Sequence, residues 1–232
     1  MRRRFLTCLL LTSIFYCSGS YSQVRIGVNT GFHFSNVYNH VETRPDRAVK
    51  SDLKSGFHGG IQFEIPVNEK FSLLPGVSYS KMGYANADGV RLNTKADYLE
   101  MPFDILYKLK TDDGGHVLFG VGAYLAYGLG GKWNVPEKSG VNGWPSMNGK
   151  LVFRNVVSHD EYNNVSFNSN FVYGKPLDYG ANALIGYQFK YGLFFRFEGQ
   201  LGLRNLSSAV ENLKMATEMK NFRVGFSLGY MF

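Results

Sequence analysis

Asn221-Phe222-Arg223-Val224-Gly225-Phe226-Ser227-Leu228-Gly229-Tyr230-Met231-Phe232 is the last stretch of the sequence, and its reading decides the fold. Phe222, Val224, Phe226, Leu228, Tyr230 and Phe232 fall on one face of an extended chain. Asn221, Arg223, Gly225, Ser227, Gly229 and Met231 fall on the other. Side chains alternate across a β-strand, so the period of two specifies a strand with one greasy face and one small or polar face. A soluble sandwich strand also alternates, but its apolar face meets a second sheet. The number and length of such strands separate the two cases.

Seven further segments repeat the pattern: Val24–Phe34, Phe57–Ile65, Phe71–Lys81, Leu99–Leu109, Val117–Leu129, Tyr179–Phe189 and Leu193–Leu203. Most carry about 9–11 alternating residues, the length a tilted strand needs to cross the hydrocarbon. The connections also alternate. Tight turns join the second to the third strand (Pro66-Val67-Asn68-Glu69), the fourth to the fifth (Thr111-Asp112-Asp113-Gly114-Gly115) and the sixth to the seventh (Lys190-Tyr191-Gly192). Long polar segments make the others, the largest from Gly130 to Leu177. Short turns on one rim and long loops on the other are the outer-membrane arrangement. The expected fold is therefore all-β: an eight-stranded antiparallel up-and-down transmembrane β-barrel. An even strand count lets the first strand pair with the last, leaving no edge for lipid to face.

Composition agrees. Aromatics are 16% of the 232 residues, with 19 Phe and 15 Tyr against 2 Trp, and glycine is abundant at 27. Residues 1–22 read as a cleavable signal peptide: Arg2-Arg3-Arg4, a Phe5–Tyr16 apolar stretch too short to span as a helix, and Ser20-Tyr21-Ser22 before a cut at Gln23. Lipidation at Cys17 is the alternative, with Ile14-Phe15-Tyr16 a poor match before it. Residues 23–232 form the barrel domain. Cleavage removes three of the 25 basic residues, none of the 18 acidic ones, and both cysteines, leaving a charge of +4 and no thiol chemistry. No basic-aromatic motif supports a nucleic-acid partner. No cofactor is expected.

The stretches Ile26-Gly27-Val28-Asn29-Thr30-Gly31 with Phe34-Ser35-Asn36, Gly56-Phe57-His58-Gly59-Gly60, Lys70-Phe71-Ser72-Leu73-Leu74-Pro75, Tyr98-Leu99-Glu100-Met101-Pro102, Gly120-Val121-Gly122-Ala123-Tyr124 and the strand ending in Phe232 resemble the PorT-like outer-membrane barrel family. The resemblance runs from about residue 24 to the C-terminus. It implies the barrel fold and an outer-membrane address. It implies little about activity, because the family is functionally mixed.

The inward face is expected to hold Arg25, His33, His58, Glu64, Glu100, Asp104, Lys108, Arg196, Glu198, Arg204 and Arg223. An eight-stranded barrel is about wide enough for its own side chains, so these charges must pair. Arg25, Glu64, Glu100, Asp104, Arg196, Glu198 and Arg223 are assigned to a polar network filling the bore. Inward glycine and alanine on the fifth strand make room for long neighbours. Phe226, Leu228, Tyr230 and Phe232 are read as the C-terminal signal for the barrel assembly machinery. His33 and His58, near the outer rim with Ser35 and Glu100 imagined beside them, carry a rim-sited hydrolase alternative. A narrow channel or secretion accessory is another alternative.

Lesser signals are weak. Gly128-Leu129-Gly130-Gly131 lacks the Lys-Ser/Thr of a phosphate loop. His159-Asp160-Glu161 reads as a solvated turn, Asn164-Val165-Ser166 and Asn205-Leu206-Ser207 as chance matches to a glycosylation acceptor, and Ser207–Glu218 as a short loop helix. The leading functional expectation is a non-enzymatic barrel, in contact with outer-membrane lipid, whose outer loops meet a partner. Trp133, Trp144, Tyr162 and Tyr173 in the Gly130–Leu177 loop are the contacts expected. That loop packing on itself and extending strands above the membrane is the competing reading.

Overall fold

The structure, a computed structural model, describes residues 23–41, 51–86, 92–136, 147–158, 171–211 and 217–232. Its strands are β1 (Arg25–Val41), β2 (Ser51–Pro66), β3 (Phe71–Asn86), β4 (Asn93–Lys110), β5 (His116–Val135), β6 (Met147–Phe153), β7 (Val156–Val157), β8 (Phe171–Gly174), β9 (Leu177–Gln188), β10 (Leu193–Gly202), β11 (Ala209–Val210) and β12 (Thr217–Met231). Eight of them form an antiparallel ring in the order β4-β3-β2-β1-β12-β10-β9-β5, closed by β4 pairing with β5. The seam between first and last strands runs from Gly27↔Met231 to Val41↔Thr217. All eight segments recognised from their alternation are ring strands.

Closure leaves the greasy row of β12 outside, on no second sheet: Phe226 is 42% and Leu228 48% exposed, while Ser227 between them is fully buried. β4 repeats this, with Leu99, Met101, Phe103 and Ile105 outward and Glu100, Asp104 and Leu106 inward. A continuous apolar belt of this kind is far larger than a soluble protein exposes. It is the surface that a bilayer wets.

The strands outrun the expected length. β1 has 17 residues, β4 18 and β5 20, the excess lying toward the rim of long connections. The Gly130–Leu177 segment is not all loop, because its first residues continue β5, and β6 then pairs with β5 over Gly131–Val135 where β9 has ended. β6 and β8 run parallel, as do β7 and β11. The helix expected over Ser207–Glu218 is not found in its described part; Ala209–Val210 pairs instead with Val156–Val157. Residues 1–22, His159-Asp160-Glu161 and Asn164-Val165-Ser166 lie outside the described residues.

At the opposite rim the turns are tight. In the 111–115 turn, Asp113 accepts hydrogen bonds from the Thr111 and Tyr187 hydroxyls, and these hold its carboxyl down to about 2. Tyr187 thereby pins the β4–β5 turn to β9. Phe189, Tyr191 and Phe195 cluster beside it, and Tyr230 packs on Phe232, forming part of an aromatic girdle.

Candidate functional site

The bore is the place where this sequence concentrates ionisable side chains, and it is stacked in layers. Nearest the short-turn rim, Glu64 is fully buried. It accepts from Arg25 and Lys108 and, at 2.9 Å, from the Ser72 hydroxyl. Above it comes a layer absent from the sequence reading: Leu74, Leu106, Leu118, Leu184, Phe194 and Met231 pack together across the bore. These residues share the inward parity of the charges but not their chemistry. Gly120 gives Leu184 its space, since a Cβ there would sit 2.7 Å from Leu184 Cγ.

The middle layer is polar again. Arg196 donates to Gln62 Oε1 at 2.7 Å, lies 3.4 Å from Glu198 and covers the Phe194 ring at 4.4 Å. Asn182 donates to Asp104 at 3.2 Å. Arg223 reaches both Glu100 oxygens at 3.0 and 3.1 Å and the Ser80 hydroxyl at 3.0 Å. Asn221 and Tyr124 both donate to Asp178, at 2.8 and 3.1 Å. Arg223 and Asn221 of β12 thus reach Glu100 of β4, on the opposite side of the ring, and Asp178 of β9, two strands away, so these bonds brace the cylinder from within. Between them lies a cavity of about 50 Å³, bordered by Gln62, Glu100, Asp104, Arg196 and Glu198. It has room for about three or four waters.

His33 and His58 do come together, with Nδ1 atoms 3.2 Å apart and rings stacked. Their partners fix the protons. The Lys81 carbonyl can only accept, so His33 Nε2 donates to it at 3.1 Å. In the neutral rings His33 Nδ1 then accepts from His58 Nδ1, leaving His58 Nε2 to accept from Ser227 Oγ at 2.7 Å. Ser35 and Glu100, the imagined companions, go elsewhere: Ser35 donates to the Gly83 carbonyl at 2.9 Å, and Glu100 takes Arg223. Ser227 was missed because a small polar residue at an inward position of a barrel strand is unexceptional. It resembles a nucleophile beside a base, but it is fully buried and His33 is 1% exposed.

A second apolar layer lies above. Val37, Met82, Tyr84, Tyr98, Leu151, Leu206 and Met219 pack together, with Phe153 edge-on to Tyr98. Leu151 and Leu206 come from connecting segments that fold into the mouth. Of the expected loop contacts, Trp133 is in β5 and 6% exposed, directed inward. Its turn inward follows a bulge: Tyr98 faces Gly128 and Asp97 faces Gly130, so Leu129 is skipped and the alternation flips. Gly130 adopts φ +142° there. Trp144 and Tyr162 lie outside the described residues, and Tyr173 falls in β8. Arg204, expected inward, follows the end of β10 and is half-buried. Phe226, Leu228, Tyr230 and Phe232 all project outward. Among the described residues no group of three His, Cys, Asp or Glu is placed to hold a metal ion.

Solved outer-membrane barrels are among the structures that the chain matches. OprG from Pseudomonas aeruginosa is 12% identical, covering 92% of this chain and 98% of that one, with a TM-score of 0.46. Ail, the attachment invasion locus protein of Yersinia pestis, is 10% identical over 90% and 99%, with a TM-score of 0.40. Neisserial surface protein A is 10% identical over 90% and 97%, with a TM-score of 0.41. No curated protein matches the chain. A profile of the outer membrane protein beta-barrel domain matches residues 17–208, and the chain belongs to that family.

Proposed function

We propose that this outer-membrane barrel is a non-conducting, non-enzymatic scaffold whose working surface is its rim of long connections, and that the chain falls in the PorT-like branch of its family. It reaches the membrane by way of a signal peptide ending at Ser22 and is inserted by the barrel assembly machinery. The observation that carries this reading is the layering of the bore. A hydrated ion crossing it would meet the Glu64 cluster, an apolar layer, a cross-braced polar layer and a second apolar layer in turn. Two desolvating layers in series are incompatible with diffusion, and an eight-stranded cylinder has no spare width. The buried Ser227–His58 contact is a bracing element in this reading, because no substrate path leads to it.

Planar-bilayer recording of the refolded mature chain tests it. Silence at neutral pH is expected, and steady, reproducible conductance steps would overturn the scaffold reading. The rim surface has its own test. Removing residues 159–170, which leaves every wall strand in place, should abolish recovery of a protein partner. Unchanged recovery would count against the rim as the working surface.

A further inference from the structure

Above the lipid-facing belt, the outer wall of β4, β5 and β6 carries Lys95, Lys132 and Lys150 directly opposite one another: Lys95↔Lys132 and Lys132↔Lys150. All three are exposed on the outward face. The next row is Asn93↔Asn134↔Asn148. Facing residues of adjacent strands have Cβ atoms about 5 Å apart, and like charges at that distance repel. Among the described residues none of the three ammonium groups lies in an ion pair. The nearest carboxylate along β4, Asp97, is already engaged: it pairs with Lys81 at 3.3 Å and accepts from Tyr79 at 2.7 Å. Three cations stand in register with no carboxylate paired to them among the described residues, an arrangement that suits a polyvalent anion.

The height of the row says which anion. Leu99 is the last outward apolar residue of β4 on this side, and Lys95 lies four positions beyond it. At roughly 3.4 Å per residue and a tilt of about 40°, that is about 10 Å above the belt. On β5 the step is shorter, since Lys132 stands three positions past the exposed Leu129. Lipid headgroups occupy about 5–8 Å beyond the hydrocarbon, and a lysine stem bends readily toward them. A headgroup is held at this height by its acyl chains, whereas a soluble anion would depend on the lysines alone.

We infer that the Lys95–Lys132–Lys150 row is a binding site for the phosphate-bearing headgroup of a membrane lipid. Each lysine at an anionic surface contributes roughly fivefold in affinity.

The test is native mass spectrometry of the full mature chain in a neutral detergent, titrated with dilauroyl phosphatidic acid or dilauroyl phosphatidylcholine. The wild type should retain the phosphatidic acid preferentially. The K95Q/K132Q/K150Q variant should lose that preference on the order of a hundredfold. The K70Q/K110Q/K190Q variant, with the same charge change at the opposite rim, should keep it. Inorganic pyrophosphate at equal concentration should not displace the lipid. An equal loss in both triple variants, a loss of less than about tenfold in the first, or displacement by pyrophosphate would overturn the site. These outcomes are independent of conductance, so this inference and the scaffold reading fail separately.

Discussion

Arg223 and Glu100 meet from β12 and β4 with side chains only 10% and 2% exposed. Arg223→Met would strand the Glu100 carboxylate inside the barrel, a loss of about 3–5 kcal/mol. Arg223→Met combined with Glu100→Leu removes both charges and should recover more than half of that loss. Urea unfolding in phospholipid vesicles reads both. A double variant no better than the single one would show that the pair does more than cancel itself. Both residues were legible in the sequence as inward charges, because parity assigns a face. Their pairing was not, since parity says nothing about height in the bore or position around it. Leu106 and Leu184 have the same inward parity as the charges, but an isolated inward leucine carries no sign in the sequence that leucines of other strands meet it at the same height.

The strands show where alternation stops informing. Eight were legible because lipid on one side and packed polar groups on the other impose two chemistries on successive residues. Their upper extensions were not, because Ala96, Tyr98, Met82 and Tyr84 face an apolar layer there and the contrast fades. The bulge at Leu129 then inverts the parity, which is why Trp133 read as a loop contact. Deleting Leu129 should restore straight pairing and leave Trp133 inward, since its partner Thr94 and every pairing beyond the bulge are unchanged. In a Trp144→Phe background, Trp133 fluorescence should resist an aqueous quencher before and after the deletion; a Trp133 that becomes quenchable in the deletion variant would refute Leu129 as the extra residue. Gly130→Val should cost about 1–3 kcal/mol, because a β-branched residue is strained at φ +142°. The 111–115 turn gives a pH test. The Asp113 carboxyl sits near 2 in the folded chain, below the roughly 3.9 of an unfolded one. Its contribution is therefore complete above about pH 4 and fades as pH falls toward 2. Asp113→Asn should lower the urea midpoint at neutral pH and match the wild type near pH 2. A gap that persists in acid would mean the Thr111 and Tyr187 hydroxyls are not the source.

At the scale of the whole cylinder, the two apolar layers act as resistances in series, so neither alone decides whether ions pass. The lower one depends on Leu106 and Leu118 from neighbouring strands, and the upper one on Leu151 and Leu206 from segments folded into the mouth. Leu106→Ala with Leu118→Ala opens a gap below, at about 2–5 kcal/mol for each truncation. The upper layer still excludes hydrated ions, so this variant should stay silent in a planar bilayer. Leu151→Ala with Leu206→Ala should be silent for the converse reason. Combining all four should join the polar middle layer to water at both rims and produce small conductance steps, provided circular dichroism still reports an intact barrel. The Glu64 cluster is a polar filter and not a wall, so it should set the sign of the ion that passes without stopping the current. Conductance in either double variant would show that one layer carries the whole barrier. Silence in a folded quadruple variant would move the barrier into the cross-braced layer of Arg223, Glu100 and Arg196, making the hydrogen-bonded polar packing itself the seal.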